Sequence, residues 1–249
     1  MPGLIIDLKE VVVDFNGFKA LKRVNFSVAQ GELRMLIGPN GAGKTTLIDV
    51  ISGKVKPKSG KIIFKGTNIS GFSEHGISRL GISRKFQTPS IFENLTVFEN
   101  MELAVIKNKG IVPALLSSLK RRDKEDIFYV LRTMGLNDKV YERAGILSHG
   151  EKQWLELGMG IIQEPALLLV DEPVAGMTGK EREKTGEMLQ AISKDRSVIV
   201  VEHDMEFVRR IAKKVTVLHE GAVLCEGSME EVKNNPVVID VYLGRTEEG

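Results

Sequence analysis

The residues that could do the most specific chemistry are Gly38, Pro39, Asn40, Gly41, Ala42, Gly43, Lys44, Thr45 and Thr46. Together they satisfy the pattern GxxxxGK[ST] at every fixed position. Gly41 and Gly43 let the backbone turn tightly and approach a phosphate with no side chain in the way. Successive N–H groups, with the positive end of a following helix, then form a nest for an anion. In such a nest Lys44 places its ammonium between the β- and γ-phosphates of a nucleoside triphosphate, and Thr45 offers a hydroxyl to Mg²⁺. The alternative is a chance glycine-rich turn that merely caps a helix. The flanks argue against it: Leu33–Ile37 is an apolar run of strand length, and Leu47, Ile48 and Ile51 recur at helical spacing before Gly53.

A second candidate is Asp171-Glu172, at the end of the apolar run Ala166–Val170 and before Pro173. Adjacent carboxylates at the C-terminal end of a buried strand are costly unless they meet a cation or a substrate. Beside a phosphate loop, Asp171 reads as the carboxylate for Mg²⁺. A third is His203, at the end of the run Ser197–Val201, placed to sense a phosphate or to serve a structural role. Ser148, next to His149, Gly150 and Glu151, is a natural helix N-cap whose neighbouring N–H groups could also bind phosphate. Phe15 could stack on a flat base; taken alone it reads first as core. The basic turn Lys54–Lys61 has no interleaved aromatic residue and reads as a solvated loop.

The elements that must position these residues follow from periodicity. Leu4–Phe15 reads as a strand, Asn16-Gly17 as a turn, and Val24, Phe26 and Val28 as part of an antiparallel partner. Ile62–Phe64 is a further short strand, and Ser73 caps a short helix to Leu80. Ile82–Phe86 leads to Gln87, where Thr88-Pro89 marks a change of segment. From Asn94 to about Ala144 the pattern is helical, with Ile127, Val130, Leu131 and Met134 on one face and the charge run Lys120–Asp126 solvated. A helix is expected from about Lys152 to Gln163 and another over Gly179–Ser193. Val215–Leu218 and Ala222–Leu224 form a hairpin about His219-Glu220-Gly221.

Composition narrows the class. The 249 residues suit one large domain or a core with an insertion, and 42% hydrophobic residues suffice for a buried core. A net charge of +2 does not suggest a nucleic-acid binder. The one cysteine, Cys225, cannot form an internal disulfide and reads as a small buried hydrophobe in a strand. No run reaches the roughly 18 apolar residues of a membrane span. Met1–Asp7 lacks the basic start of a signal peptide.

In this order the motifs resemble those of the nucleotide-binding subunit of an ABC transporter, over nearly the whole chain. Gly38–Thr45 resembles the Walker A loop, Gln87 the Q-loop, Leu147–Glu151 the signature motif, and Leu167–Glu172 the Walker B strand with its catalytic glutamate. His203 resembles the switch histidine and Phe15 the base-stacking aromatic. The resemblance implies one nucleotide-binding domain over 1–249: an α/β P-loop NTPase core, an antiparallel β-subdomain, and a helical subdomain inserted at about 88–165. It implies an Mg²⁺-dependent ATPase that works as a head-to-tail dimer, as homodimer or heterodimer with a second ABC ATPase subunit. ATP bound at Gly38–Thr46 is covered by Ser148, His149, Gly150 and Glu151 of the other subunit. Glu172 polarises the attacking water with help from His203, while Thr45, Gln87 and Asp171 hold Mg²⁺ and its waters. The chain departs from the family where the usual LSGGQ reads Leu147-Ser148-His149-Gly150-Glu151. It also lacks the aspartate many members carry near Thr178.

Within the family, Phe86–Pro89, Phe92–Val97, Glu172–Met177 and Val241–Gly244 resemble the group serving branched-chain amino acid and urea importers. Leu147–Gly150 with Lys152–Glu156 is most similar to the urea-type subunit. The implied function is an ATPase energising urea import; the alternatives are branched-chain amino acid import and a soluble non-transport ABC ATPase. The implied partners are transmembrane permease subunits and, indirectly, an extracytoplasmic solute-binding protein, with no nucleic acid. The implied location is the cytoplasmic face of the inner or plasma membrane.

Overall fold

A computed structural model describes residues 3–85, 91–109 and 120–243. Two sheets organise it. The first has the order β2-β1-β4-β5, from β1 (Leu4–Phe15), β2 (Phe18–Ala29), β4 (Ser59–Phe64) and β5 (Thr67–Asn68), and all its pairings are antiparallel. Asn16 and Gly17, both at positive φ (54° and 96°), make the β1–β2 turn, as the sequence signalled. The second sheet has the order β10-β9-β3-β8-β7-β6. Here β3 (Leu33–Ile37), β6 (Ile82–Lys85), β7 (Leu167–Asp171), β8 (Ser197–Val201) and β9 (Lys214–His219) run parallel, and β10 (Ala222–Gly227) closes one edge antiparallel to β9.

The parallel strands are apolar throughout because both faces are covered. Along β7, Leu168 and Val170 pack into one hydrophobic core with the helices, whereas Leu167 and Leu169 pack into a second core with the antiparallel sheet. Along β8, Val198 and Val200 likewise face the first core, and Ile199 and Val201 the second. This period-two split is what an apolar run without polar alternation should produce when a strand lies between two layers.

Helix α1 (Lys44–Ser52) ends at Gly53, whose φ of 79° makes a left-handed C-cap. Helix α2 (Glu74–Arg79) starts at Ser73, whose side chain accepts from Gly76 N–H. Between β6 and β7 the described regular elements are helical: α3 (Val97–Lys109), α4 (Arg121–Thr133), two short 3₁₀ turns, and α5 (His149–Ile161). The charge run lies in the first half of α4, whose buried residues are Ile127, Val130 and Leu131. The remaining helices are α6 (Gly179–Ile192), α7 (Met205–Ile211), α8 (Met229–Lys233) and α9 (Pro236–Leu243).

Some expectations need correction. Phe15 is not core: at the hairpin tip it is 47% exposed. Helix α5 begins at His149 rather than Lys152, because Ser148 and Glu151 form a capping box that nucleates it earlier. The basic turn is shorter than Lys54–Lys61, since Ser59 already pairs with Val12 in β4. Cys225 is only half-buried. Gln87, with its neighbours 86–90, lies outside the described residues.

Candidate nucleotide site

The parallel sheet delivers the candidate residues to one edge. Strand β3 pairs with β8 and β8 with β7, all parallel, so the loop at Gly38, the segment at His203 and the pair Asp171-Glu172 emerge side by side. Strand β6, parallel to β7, ends at Lys85 on the same side. This is where ligands bind in open parallel sheets.

The phosphate loop is held by backbone contacts that only glycine permits. A Cβ on Gly38 (φ 151°) would lie 2.1 Å from the carbonyl oxygen of Leu218. One on Gly43 (φ 99°) would lie 2.8 Å from that of Ala20. Gly43 is also the N-cap of α1 and gives it no side-chain cap, which leaves the first-turn N–H groups for an anion. The Lys44 ammonium folds back on the loop and donates to the carbonyls of Gly38 (2.7 Å) and Pro39 (3.0 Å). Burial pushes its pKa down, while Glu172 and Asp171 draw it back up without fully offsetting that. Thr45 is exposed on the first turn of α1, and Thr46 is half-buried behind it. Strand β2 passes the loop at Ala20, with Phe15 at the tip of its hairpin.

Asp171 is 2% exposed. Its Oδ2 receives Arg84 at 3.5 Å, and its buried Oδ1 has no hydrogen-bond partner among the described residues. Burial raises its pKa against the pull of Arg84. A buried carboxylate oxygen left unmatched beside a lysine and a helix N-terminus fits a divalent cation or water held by one. Glu172 has a φ of 47°, uncommon for a side-chain-bearing residue, and so turns out of the sheet. Its Oε1 lies 3.5 Å from His203 Nδ1.

The 148–151 segment is a helix start. Ser148 Oγ accepts from Glu151 N–H (3.2 Å), and Glu151 accepts in return from Ser148 N–H (3.0 Å). Glu151 also pairs with Lys139 at 2.8 Å. Burial raises its pKa, but Lys139 and the Ser148 N–H outweigh that and leave it below the usual range. A glutamate where a glutamine is usual therefore has a local explanation. Ser148 Oγ donates to Glu181 Oε1 at 3.1 Å, and Glu181 forms the capping box of α6 with Thr178. His149 Nε2 lies 2.8 Å from Gln153 Nε2, which also donates to the carbonyl of Ala175. The imidazole rests beside Gly176, 3.4 Å from where a Cβ would stand.

A family model described as ABC transporter matches residues 21–175. The chain belongs to the ABC transporter family. It is an ABC ATPase with the P-loop NTPase fold. A second model, described as branched-chain amino acid ATP-binding cassette transporter, matches residues 222–248. The cassette is 36% identical, over 92% of its own length and 91% of the relative's, to the probable branched-chain amino acid transport ATP-binding protein LivG of Archaeoglobus fulgidus. It is 33% identical, over 96% of this chain and 98% of the relative, to the high-affinity branched-chain amino acid transport ATP-binding protein BraF of Pseudomonas aeruginosa. Among solved structures it is similar to an ATP-binding cassette of an ABC transporter in its ADP conformation. There the TM-score is 0.85 at 28% identity, covering 97% of this cassette and 99% of that one.

Sequence reasoning missed Arg84, Glu181 and Glu202 as neighbours of this site. Glu181 was legible in principle, since Thr178-x-x-Glu181 spells a capping box. Glu202 carries the same signal as Asp171-Glu172, a charge directly after an apolar strand; Arg84, inside the short strand β6, carries no local signal.

Proposed function

We propose that this chain is the ATP-hydrolysing subunit of an importer for branched-chain amino acids, acting from the cytoplasmic face of the membrane. The observation that carries the solute assignment is the match of residues 222–248 to the branched-chain amino acid cassette model, which the names of the relatives support. Among the described residues no helix is long and apolar enough to cross a membrane. Translocation therefore falls to transmembrane permease partners, with a solute-binding protein acting on their far side. A groove of about 430 Å³, lined by Glu74 and His75 of α2, Arg84 of β6 and Glu156, Met159 and Gly160 of α5, is a candidate dock for a permease segment.

In the proposed mechanism Lys44 exchanges its two carbonyl contacts for β- and γ-phosphate oxygens. The N–H groups of Gly41, Gly43 and the first turn of α1 surround the phosphates, while that of Ala42 stays on Pro39 O (3.2 Å) and holds the loop's shape. Phe15 stacks on the base. Thr45, Asp171 and Gln87 would hold Mg²⁺ or its waters; when bound, the ion supplies neutralisation of phosphate charge. Glu172 accepts a proton from the attacking water, and His203 orients Glu172 and the γ-phosphate. Ser148, His149 and Gly150 of a second ATPase subunit cover the phosphates.

Urea import is the second reading, favoured by Leu147-Ser148-His149-Gly150 with Lys152–Glu156. Uptake of labelled leucine, isoleucine and urea, in cells carrying either the native chain or Lys44→Ala, tests both. The proposal expects amino acid uptake alone to depend on Lys44. Dependence of urea uptake alone would transfer the assignment.

A further inference from the structure

Directly after strand β8 stands a charged residue that the hydrolytic reading does not use. Glu202 follows the apolar run Ser197–Val201 and is 1% exposed. Its Oε1 accepts from the N–H of Val174 (3.3 Å), and its Oε2 from the N–H groups of His203 (2.9 Å) and Asp204 (3.1 Å). One carboxylate therefore grips two loops. One loop leaves β7 with Glu172, two residues before Val174; the other leaves β8 with His203.

We propose that Glu202 is a positioning residue for ATP hydrolysis, its buried carboxylate fixing through these N–H groups the separation of Glu172 and His203. The inference rests on the roles proposed above for those two residues. A carboxylate this deep is costly, and the N–H groups that offset its burial belong to the two loops in question. Helix capping does not explain it, because α7 already has its cap: Asp204 accepts from the N–H groups of Glu206 and Phe207. Glu172 needs such a restraint. Its left-handed backbone persists only where the surroundings over-determine it, and the anchored Val174 N–H and the Glu172 N–H on Val201 O (3.0 Å) bracket the turn. A second brace spans the same loops further out: Arg182 donates to Met177 O (3.1 Å) and to Asp204 Oδ2 (2.7 Å). Both braces hold the backbone, and Glu202 Oε2 also lies 4.0 Å from His203 Nδ1.

A glutamine at 202 keeps the shape but presents one acceptor oxygen and an NH₂ that opposes an N–H. Steady-state hydrolysis by Glu202→Gln should lose about tenfold to a hundredfold in kcat, with KM and the affinity for a fluorescent ATP analogue within about twofold. Added to Glu172→Gln, it should cost much less than it costs alone, because most of its effect runs through Glu172. A loss that adds in full to that of Glu172→Gln, or a wild-type kcat, would overturn the inference. Should Glu202→Gln not fold, hydrogen exchange on the native chain decides: the amides of Val174, His203 and Asp204 should exchange as slowly as those of β8, and fast exchange at Val174 and His203 would refute the clamp. The native chain in the same assay separates the two failures. No hydrolysis by it removes the functional reading itself; native hydrolysis matched by Glu202→Gln removes only the role of Glu202.

Discussion

Glu172 Oε1 and His203 Nδ1 face each other across 3.5 Å at the ends of the neighbouring strands β7 and β8. The two side chains are 31% and 61% exposed, so both reach the surface at the edge where β3 delivers the phosphate loop. A carboxylate there can take a proton from water, and an imidazole beside it can hold its orientation.

Glu172→Gln keeps that shape and removes the basic oxygen. ATP hydrolysis should fall by about 10²–10⁴-fold, the usual worth of a positioned base. ATP affinity should stay within a few-fold, and a nucleotide-bound dimer should accumulate on size exclusion. Hydrolysis at the native rate would remove Glu172 from the role of base.

Lys44→Ala should act on binding. The ammonium makes two charge-assisted contacts that phosphate oxygens would take over, each worth about 1.5–3 kcal/mol. Affinity for ATP should therefore drop at least about a hundredfold, read by titration with a fluorescent nucleotide. Circular dichroism should remain native, since the side chain ties only two loop carbonyls. Tight ATP binding by this variant would contradict the loop's assignment.

Much of this site was legible because its signals are local. The strand–loop–helix at Gly38 needs consecutive residues only, and Asp171-Glu172 announces itself as charge after an apolar run. The split of Leu167 and Leu169 from Leu168 and Val170 into separate cores was not legible, because a continuous apolar run does not say which residue faces which layer. Phe15 misled for a related reason: an aromatic residue in a strand looks like core until the hairpin tip shows it in solvent. The contacts of Ser148 with Glu181 and of Glu202 with Val174 join residues far apart in the chain, and no spacing rule reaches them.

Glu181 offers a pH test. It accepts from Thr178 N–H (2.9 Å) and Thr178 Oγ1 (2.8 Å), and from Ser148 Oγ. The Thr178 N–H, ahead of the other donors, holds its pKa below the ordinary glutamate value of 4.5. A depressed carboxyl contributes stability that is fully present above that ordinary value and is lost as pH falls through the folded one. Glu181→Gln should thus be less stable than the native chain by about 1 kcal/mol near neutral pH, a typical cap value. The two should converge as pH drops below 4.5. Thermal unfolding across that range measures it, and a gap that stays constant into acid would deny the charge any part in the cap.

The composite-site reading predicts complementation. Lys44→Ala disables the phosphate loop of its own subunit, whereas Ser148→Arg blocks the site its subunit covers on the other. Each variant alone carries two damaged sites in a symmetric dimer. In a mixed dimer both lesions fall on the same site: the Lys44→Ala loop is covered by the Ser148→Arg segment. The second site then has a native loop and a native cover. With random assortment half the dimers are mixed, so hydrolysis should return to about a quarter of the native rate. The measurement is ATP turnover of the separately purified variants before and after mixing with permease partners present. Activity that stays at the level of the separate variants, while mixed dimers are demonstrated by differential tags, would show that Ser148 does not serve the site of the other subunit.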